Sequence, residues 1–275
     1  MVLKFVNICF LALILCLNVS NAFAQQQLPV SKHDFIVIAH RGDHVSAPEN
    51  SLAAIKSAIA HGVDFVEIDL RTTKDSVLMI MHDNNISRTT IGKGYLSNFY
   101  FEYLHQFYLK DLQEDTLTRE KIPMLSEVLA LCKDKINIYL DFKDADAAAT
   151  WKLMRAYKME KQFIVYINKP QQLIDWRKVA PEVPLMVSLP DSVRSVEKML
   201  EFTQKYNITL LDGDYTDYSP EMVAAAAKAG ITIWTDIQGP KEAENWPTAI
   251  EKGLKGLQTD HPEALIEWLK QRGLR

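Results

Sequence analysis

From Asp34 to the end of the chain, short apolar runs alternate with stretches whose apolar positions recur at helical spacing. Phe35-Ile36-Val37-Ile38-Ala39 is continuous and apolar, the pattern of a strand buried on both faces of a parallel sheet. Leu52, Ile55 and Ile59 then share one helical face, with Asn50 placed to cap that helix and Gly62 to end it. Phe65 to Leu70 is the second strand, and Val77 to Met81 is another extended run. Residues 84–120 are more polar and aromatic and less regular, which reads as a small insertion or cap after the second strand region. The face formed by Leu125, Val128, Leu129 and Cys132 predicts a helix. Further strands are expected at Ile136–Phe142, Phe163–Ile167, Leu185–Leu189, Ile208–Leu211, Ile231–Thr235 and Gly256–Gln258. Helices are expected near 146–158, 170–178, 192–205, 219–228, 240–251 and 262–271. Asp146, Asp191 and Ser219 stand where N-caps belong, with Pro220 in a first turn. About eight strand–helix units predict an α/β fold closed into a (β/α)₈ TIM barrel rather than an open doubly wound sheet. No GxGxxG follows a strand, which removes the main sign of a dinucleotide fold.

The N-terminus interrupts this pattern. Lys4 precedes an apolar run from Ile8 to Leu17, and Ala22-Phe23-Ala24 supplies small residues two apart. That is the form of a signal peptide over 1–24, cleaved before Gln25, with export to a periplasmic or external space. The alternative is a membrane anchor, but Asn7 and Asn18 bound a run shorter than the ~20 apolar residues a span needs. Cys16 lacks small residues before it, which disfavours lipid attachment. A polar leader at 25–33 then precedes one domain at 34–275. After cleavage Cys132 is the one cysteine left, so no internal disulfide can form, and its helical face marks it as a core thiol.

Composition narrows the class. Hydrophobic residues make up 48% and charged residues 24% of 275, enough for a large core without staples. Acidic residues outnumber basic ones 35 to 31, for a formal charge of -4, which argues against a nucleic-acid partner. A small phosphate ligand needs only a few local cations and stays open. No membrane span is expected in the mature chain, and the sequence gives no oligomeric state.

In a (β/α)₈ barrel the C-terminal strand ends carry the active site. The first strand ends in His40-Arg41-Gly42, where Gly42 permits a tight turn and Arg41 offers a planar fork suited to phosphate. On the second strand, Glu67 and Asp69 share the face opposite Val66, Ile68 and Leu70. Two buried carboxylates on one face repel and lose hydration, costs a cation relieves. Pairing with Arg41 or Arg71 is the structural alternative. A glycosidase dyad fits less well, because residues two apart on a strand sit about 6.5–7 Å apart on one side of any substrate. His82-Asp83 follows the next extended run, and Asp141 and Lys143 share a face at a later strand end, either as site groups or as a structural ion pair. Together these offer hard oxygen ligands for Mg²⁺ or Ca²⁺, cations for a phosphate, and imidazoles for proton transfer. Metal-assisted hydrolysis of a phosphate ester is the chemistry they suit.

These residues resemble the glycerophosphodiester phosphodiesterase family. The match runs through His40-Arg41-Gly42, Pro48-Glu49-Asn50, Glu67-Ile68-Asp69, Thr73-Lys74-Asp75, His82-Asp83, Arg88-Thr89-Thr90 and Gly92-Lys93-Gly94. It continues through Ile122-Pro123-Met124-Leu125, Ile233-Trp234-Thr235 and Thr259-Asp260, in the family's order over the whole mature chain. The resemblance implies a (β/α)₈ barrel that uses a divalent cation to release sn-glycerol 3-phosphate and an alcohol from small glycerophosphodiesters. It implies that His40 and His82 are the acid–base pair and that Arg41 and Lys143 contact substrate. Trp234 would line the pocket, and Glu67, Asp69 and Asp141 would hold the metal. Asp141 falls where the family usually has Glu, shorter by about 1.5 Å of reach. Asp236 stands where many members have Asn, adding negative charge that bears on alcohol preference. Two alternatives stay open: a non-catalytic phosphodiester-binding barrel, and a related phospholipase D-like headgroup hydrolase. The stapled loop of the latter cannot form with Cys132 alone, and retention of both histidines disfavours the former.

Overall fold

The computed structural model describes residues 26–275, so the signal-peptide reading with its cleavage near Ala24 lies outside the described residues. In chain order the first elements are β1 (Ile36–Ala39), α1 (Leu52–Ala60), β2 (Phe65–Thr72) and β3 (Leu78–Ile80). Next come α2 (Phe101–Leu104), β4 (Tyr108–Asp111), β5 (Thr116–Lys121), α3 (Leu125–Cys132), β6 (Asn137–Phe142) and α4 (Ala147–Ala156). The chain continues with β7 (Phe163–Ile167), α5 (Pro170–Val179), β8 (Leu185–Ser188), α6 (Val196–Tyr206), β9 (Leu210–Asp212) and α7 (Pro220–Lys228). It ends with β10 (Thr232–Ile233), β11 (Thr235–Asp236), α8 (Trp246–Glu251), β12 (Gly256–Thr259) and α9 (Pro262–Lys270).

Parallel pairing runs from β10 through β9, β8, β7, β6, β2, β1 and β12 to β11. The short β10 and β11 are halves of one stave interrupted at Trp234, whose N–H still donates to the Leu211 carbonyl at 3.0 Å. The sheet therefore closes as eight parallel staves, the expected (β/α)₈ barrel. Strand alternation sorts the residues. Val66, Ile68 and Leu70 of β2 face the helices and join the large outer core. Phe65 faces inward with Ile36, Ile38, Tyr139, Ile164, Met186, Leu210 and Trp234, which fill the barrel's lower interior. Leu28 of the leader packs against this inner cluster, and the Val30 carbonyl accepts from Asn137 Nδ2 at 2.9 Å. Gly256 lets Trp234 in, because a Cβ there would lie 2.0 Å from the indole.

Several expectations shift in register or partner. Val77–Met81 yields β3, but it pairs antiparallel with β2 and is not a barrel stave. The cap of α1 is Ser51, whose Oγ accepts from Ala54 N at 3.0 Å. Asn50 is not the cap, because it adopts φ 57 and spends its side chain on Asp69. Asp191 is likewise replaced as a cap by Ser195, since the turn at Pro190–Arg194 delays α6 to Val196. The helix expected over 240–251 is split into a 3₁₀ turn at Glu242–Glu244 and the shorter α8. Asp146 and Ser219 do cap their helices. Cys132 is buried in the outer core, where burial pushes its thiol up to about 12.

Residues between β3 and α3 form a 3₁₀ turn, α2 and the β4–β5 hairpin around their own small core of Ile86, Leu96, Leu104, Leu109 and Ile122. Phe99, Phe101 and Phe107 pack against it, while Tyr100, Tyr103 and Tyr108 stay exposed. Among the described residues no helix is long and apolar enough to cross a membrane.

Candidate active site

His40, Arg41, Glu67, Asp69, Asp141 and Lys143 stand at or just after the C-terminal ends of staves, while His82 follows β3, which pairs with the end of β2. Immediately after β1 the chain turns through Arg41 at φ 52 and Gly42 at φ 82. Any Cβ at Gly42 would sit 2.8 Å from Ala54 Cβ of α1, so the turn needs glycine for both conformation and space. That turn brings the Arg41 N–H within 2.7 Å of Glu67 Oε2. The guanidinium Nη1 donates to Glu49 Oε1 at 3.0 Å. Its Nε is buried, lies 3.6 Å from Asp69 Oδ2, and has no hydrogen-bond acceptor. A buried donor left free at a strand end is a place for an anion's oxygen.

Glu67 and Asp69 are almost completely buried, at 2% and 1% exposure. Register sets Asp69 beside Asp141, and Glu67, Asp69 and Asp141 each bring an oxygen within 4.8 Å of the others. Burial, then the Asp69 and Asp141 charges, push the Glu67 carboxyl well above its usual range. Burial would also raise Asp69, but Lys143, His82, Arg41 and the Asn50 amide hold it below its usual range. Asn50 Nδ2 donates to Asp69 Oδ2 at 2.7 Å, and Lys143 Nζ lies 3.1 Å from Asp69 Oδ1. Lys143 also pairs with Asp141, and Asn168 Nδ2 donates to Asp141 Oδ1 at 2.6 Å. Burial and Asp69 raise Asp141. Three converging oxygen donors, two of them raised by burial and by the neighbouring carboxylates, form a group that could hold a hard divalent cation. The structural alternative of ion pairing is present as well, through Arg41 and Lys143 but not Arg71, which pairs with Asp144.

Both imidazoles are oriented by carboxylates. His40 Nδ1 lies 2.7 Å from Asp260 Oδ1, which also meets His44 Nε2 at 3.1 Å. The Gly239 N–H donates to Asp260 Oδ2 at 2.8 Å. Burial works against the Asp260 charge, but the bonds from His40 and His44 hold its carboxyl well below the usual range. If Nδ1 carries the hydrogen toward Asp260, Nε2 of His40 is the nitrogen free to exchange protons. Burial lowers the His40 pKa despite Asp260, so its ring is neutral at neutral pH. His82 Nδ1 lies 2.7 Å from Asp83 Oδ1. Arg88 binds Asp83 through Nε at 2.6 Å and Glu49 through two nitrogens at 2.6 and 2.8 Å. His82, Asp83, Arg88, Glu49 and Arg41 thus form one continuous chain around the mouth. The sequence motifs contain Glu49, Asp83, Arg88 and Asp260 but give them no roles; Glu49 and Asp260 meet partners 39 and 220 residues away, which spacing along the chain does not show.

Trp234 is placed differently. It is 4% exposed and sits in the apolar layer below the acids, its ring centroid 4.8 Å from that of Phe65. It packs as floor rather than rim. A cavity of about 910 Å³ opens at the other end of the barrel beside Lys135, Lys158 and Lys161, away from all of these groups.

Residues 40–264, which contain every one of these groups, match the glycerophosphoryl diester phosphodiesterase family. The chain belongs to that family. A glycerophosphodiester phosphodiesterase of Caldanaerobacter subterraneus subsp. tengcongensis is 30% identical over 247 residues, covering 86% of this chain and 99% of that protein. Glycerophosphodiester phosphodiesterase 1 of Homo sapiens is 38% identical over 123 residues, 44% of this chain and 37% of that protein. Among solved structures, a phosphodiesterase of Oleispira antarctica in complex with the product sn-glycerol-3-phosphate superposes with a TM-score of 0.75 at 22% identity. That alignment covers 86% of this chain and 96% of that one. Membership in the glycerophosphoryl diester phosphodiesterase family makes the chain a phosphoric diester hydrolase.

Proposed function

We propose that the enzyme hydrolyses glycerophosphodiesters to sn-glycerol 3-phosphate and an alcohol, using a divalent cation held by Glu67, Asp69 and Asp141. The observation that carries the reading is the convergence, at one barrel mouth, of that buried carboxylate triad, the free Nε of Arg41 and two carboxylate-oriented imidazoles. A cation bound by the triad would withdraw charge from a phosphoryl oxygen. Arg41 Nε donates to another phosphoryl oxygen, and Lys143 adds positive charge on the opposite side of Asp69. His40, neutral and fixed by Asp260, takes a proton at Nε2 from the attacking oxygen. His82, fixed by Asp83, gives a proton to the oxygen of the leaving alcohol as its bond to phosphorus breaks. Asp141 serves the cation despite its shorter reach, because its Cα is paired directly with that of Asp69.

The test is turnover of glycerophosphocholine and glycerophosphoglycerol after exhaustive chelation and then with added Mg²⁺ or Ca²⁺. We expect activity to vanish on chelation and return with metal, and Asp141→Asn to need at least ~10-fold more metal for half-maximal activity. Full activity in verified metal-free protein rejects the cation. Unchanged metal dependence in Asp141→Asn, with metal-free stability lowered by roughly 3–5 kcal/mol, makes Asp141 only the partner of Lys143.

A further inference from the structure

Two more inward carboxylates belong to neither the triad nor the histidine pairs. Asp212 ends β9 and Asp236 ends β11, and these staves lie across the barrel from β2. Asp212 alternates with the inward Leu210 and is 4% exposed, and its Oδ1 is buried with no hydrogen-bond partner. Asp236 Oδ1 accepts from Gln258 Nε2 at 2.7 Å, while Oε1 of the same buried Gln258 is also without a partner. The cations nearest the mouth are committed elsewhere: Arg41 to Glu49 and Asp69, Lys143 to Asp69 and Asp141. Beside the two aspartates stand Tyr166 and Ser188, whose hydroxyls lie 2.9 Å apart, and the Tyr139 ring, 6.1 Å from that of Tyr166.

Two buried carboxyls without a counter-cation are costly as anions, and burial pushes Asp212 up to about 7 and Asp236 well above its usual range. A ligand that brought positive charge close to these carboxyls would offset that cost. An inorganic cation suits the place less well than it suits the triad, since Asp212 and Asp236 find no third ligand with atoms close enough to form a metal group among the described residues. Carboxylates beside tyrosine faces are the chemistry that holds an alkylammonium.

We propose that Asp212 and Asp236, with Tyr166 beside them, form the subsite for a cationic alcohol, so that the diesters preferred are those whose leaving group carries an ammonium. The proposal rests on the phosphodiesterase reading and specifies its substrate class. Phosphate held at Arg41 on the β1–β2 side leaves the alcohol to project across the mouth toward β9 and β11. The site then recognises the headgroup by charge, and the carboxylates ionise fully when it arrives.

Glycerophosphoethanolamine and glycerophosphocholine compared with glycerophosphoglycerol give the test, since the last has a neutral alcohol. Asp212→Asn and Asp236→Asn keep shape, and the second still accepts the Gln258 bond. We expect the wild-type enzyme to favour the ammonium diesters in kcat/KM. Each variant should lose ~10-fold or more on those diesters and stay within about twofold on glycerophosphoglycerol. Equal losses on both classes overturn the proposal and make the aspartates structural or glycerol-binding, as does a wild type that prefers the neutral diester. If no diester is turned over, the phosphodiesterase reading fails by itself. Calorimetry with free ethanolamine and choline then decides the subsite: binding that disappears in Asp212→Asn upholds it, and no binding rejects it.

Discussion

His40 and Asp260 are 220 residues apart in the chain and 2.7 Å apart at the barrel mouth. The carboxylate holds Nδ1 of the ring, and it raises the pKa that burial lowers. In the proposed mechanism Asp260 positions His40, whereas His40 and His82 would exchange protons. His40→Ala and His82→Ala should each reduce kcat by ~10²-fold or more with circular dichroism unchanged, because both side chains leave the packed layers untouched. Asp260→Asn should cost at least ~10-fold and also shift the acidic limb of the kcat/KM profile to lower pH, since His40 loses the negative charge that supports its protonated form. A loss of rate with no movement of that limb would reduce Asp260 to a structural tie for His44 and the Gly239 turn.

At the scale of elements, strand parity is the device that builds the site. In β2 the alternation sends Val66, Ile68 and Leu70 to the helices and Phe65, Glu67 and Asp69 inward, apolar below and acidic above. The β10–β11 stave does the same with Trp234 below and Asp236 above. The lower layer depends on one missing side chain: Gly256 on β12 gives the Trp234 indole its space. Gly256→Ala should destabilise the protein by about 3 kcal/mol, the upper part of the overpacking range, because the obstructed group is a buried ring. Combining it with Trp234→Phe should recover part of the loss, a non-additivity expected only for side chains in contact. Urea melts of the two single variants and the double variant measure it, and strictly additive losses would place the strain elsewhere.

For the whole molecule, the acidic interior makes metal-free stability depend on pH. Asp212 is raised to about 7 in the folded state, while an unfolded aspartate titrates near about 3.9. Between those values the folded chain holds a proton that the unfolded chain has released. Stability is then greatest below about pH 4 for this group and falls as pH rises toward 7, by up to about 4 kcal/mol. Metal-free melts should show Asp212→Asn losing less stability than wild type between pH 5 and pH 7.5, as differential scanning calorimetry would record. Parallel pH curves would mean that Asp212 is ionised in the folded protein.

The sequence by itself determined the class of fold and most of the chemical groups. Apolar runs such as Phe35–Ala39 and caps such as Asp146 and Ser219 act locally, through alternation and hydrogen bonds within a few residues. The same parity announced that Glu67 and Asp69 share a face. Only the tertiary structure decided how those groups are tuned. Pairing of β2 with β6 brought Asp141 to Asp69, pairing of β1 with β12 brought Asp260 to His40, the segment after β3 brought Arg88 to Glu49, and the broken stave sank Trp234 into the floor. The Asn50 expectation failed through a tertiary partner too: its Oδ1 accepts from the Asp69 N–H at 3.2 Å and its Nδ2 donates to Asp69 Oδ2, which leaves the cap to Ser51. Ionisation, orientation and the free Nε of Arg41 depend on burial and on partners from other strands and loops, and neither is encoded in the spacing of residues along one strand.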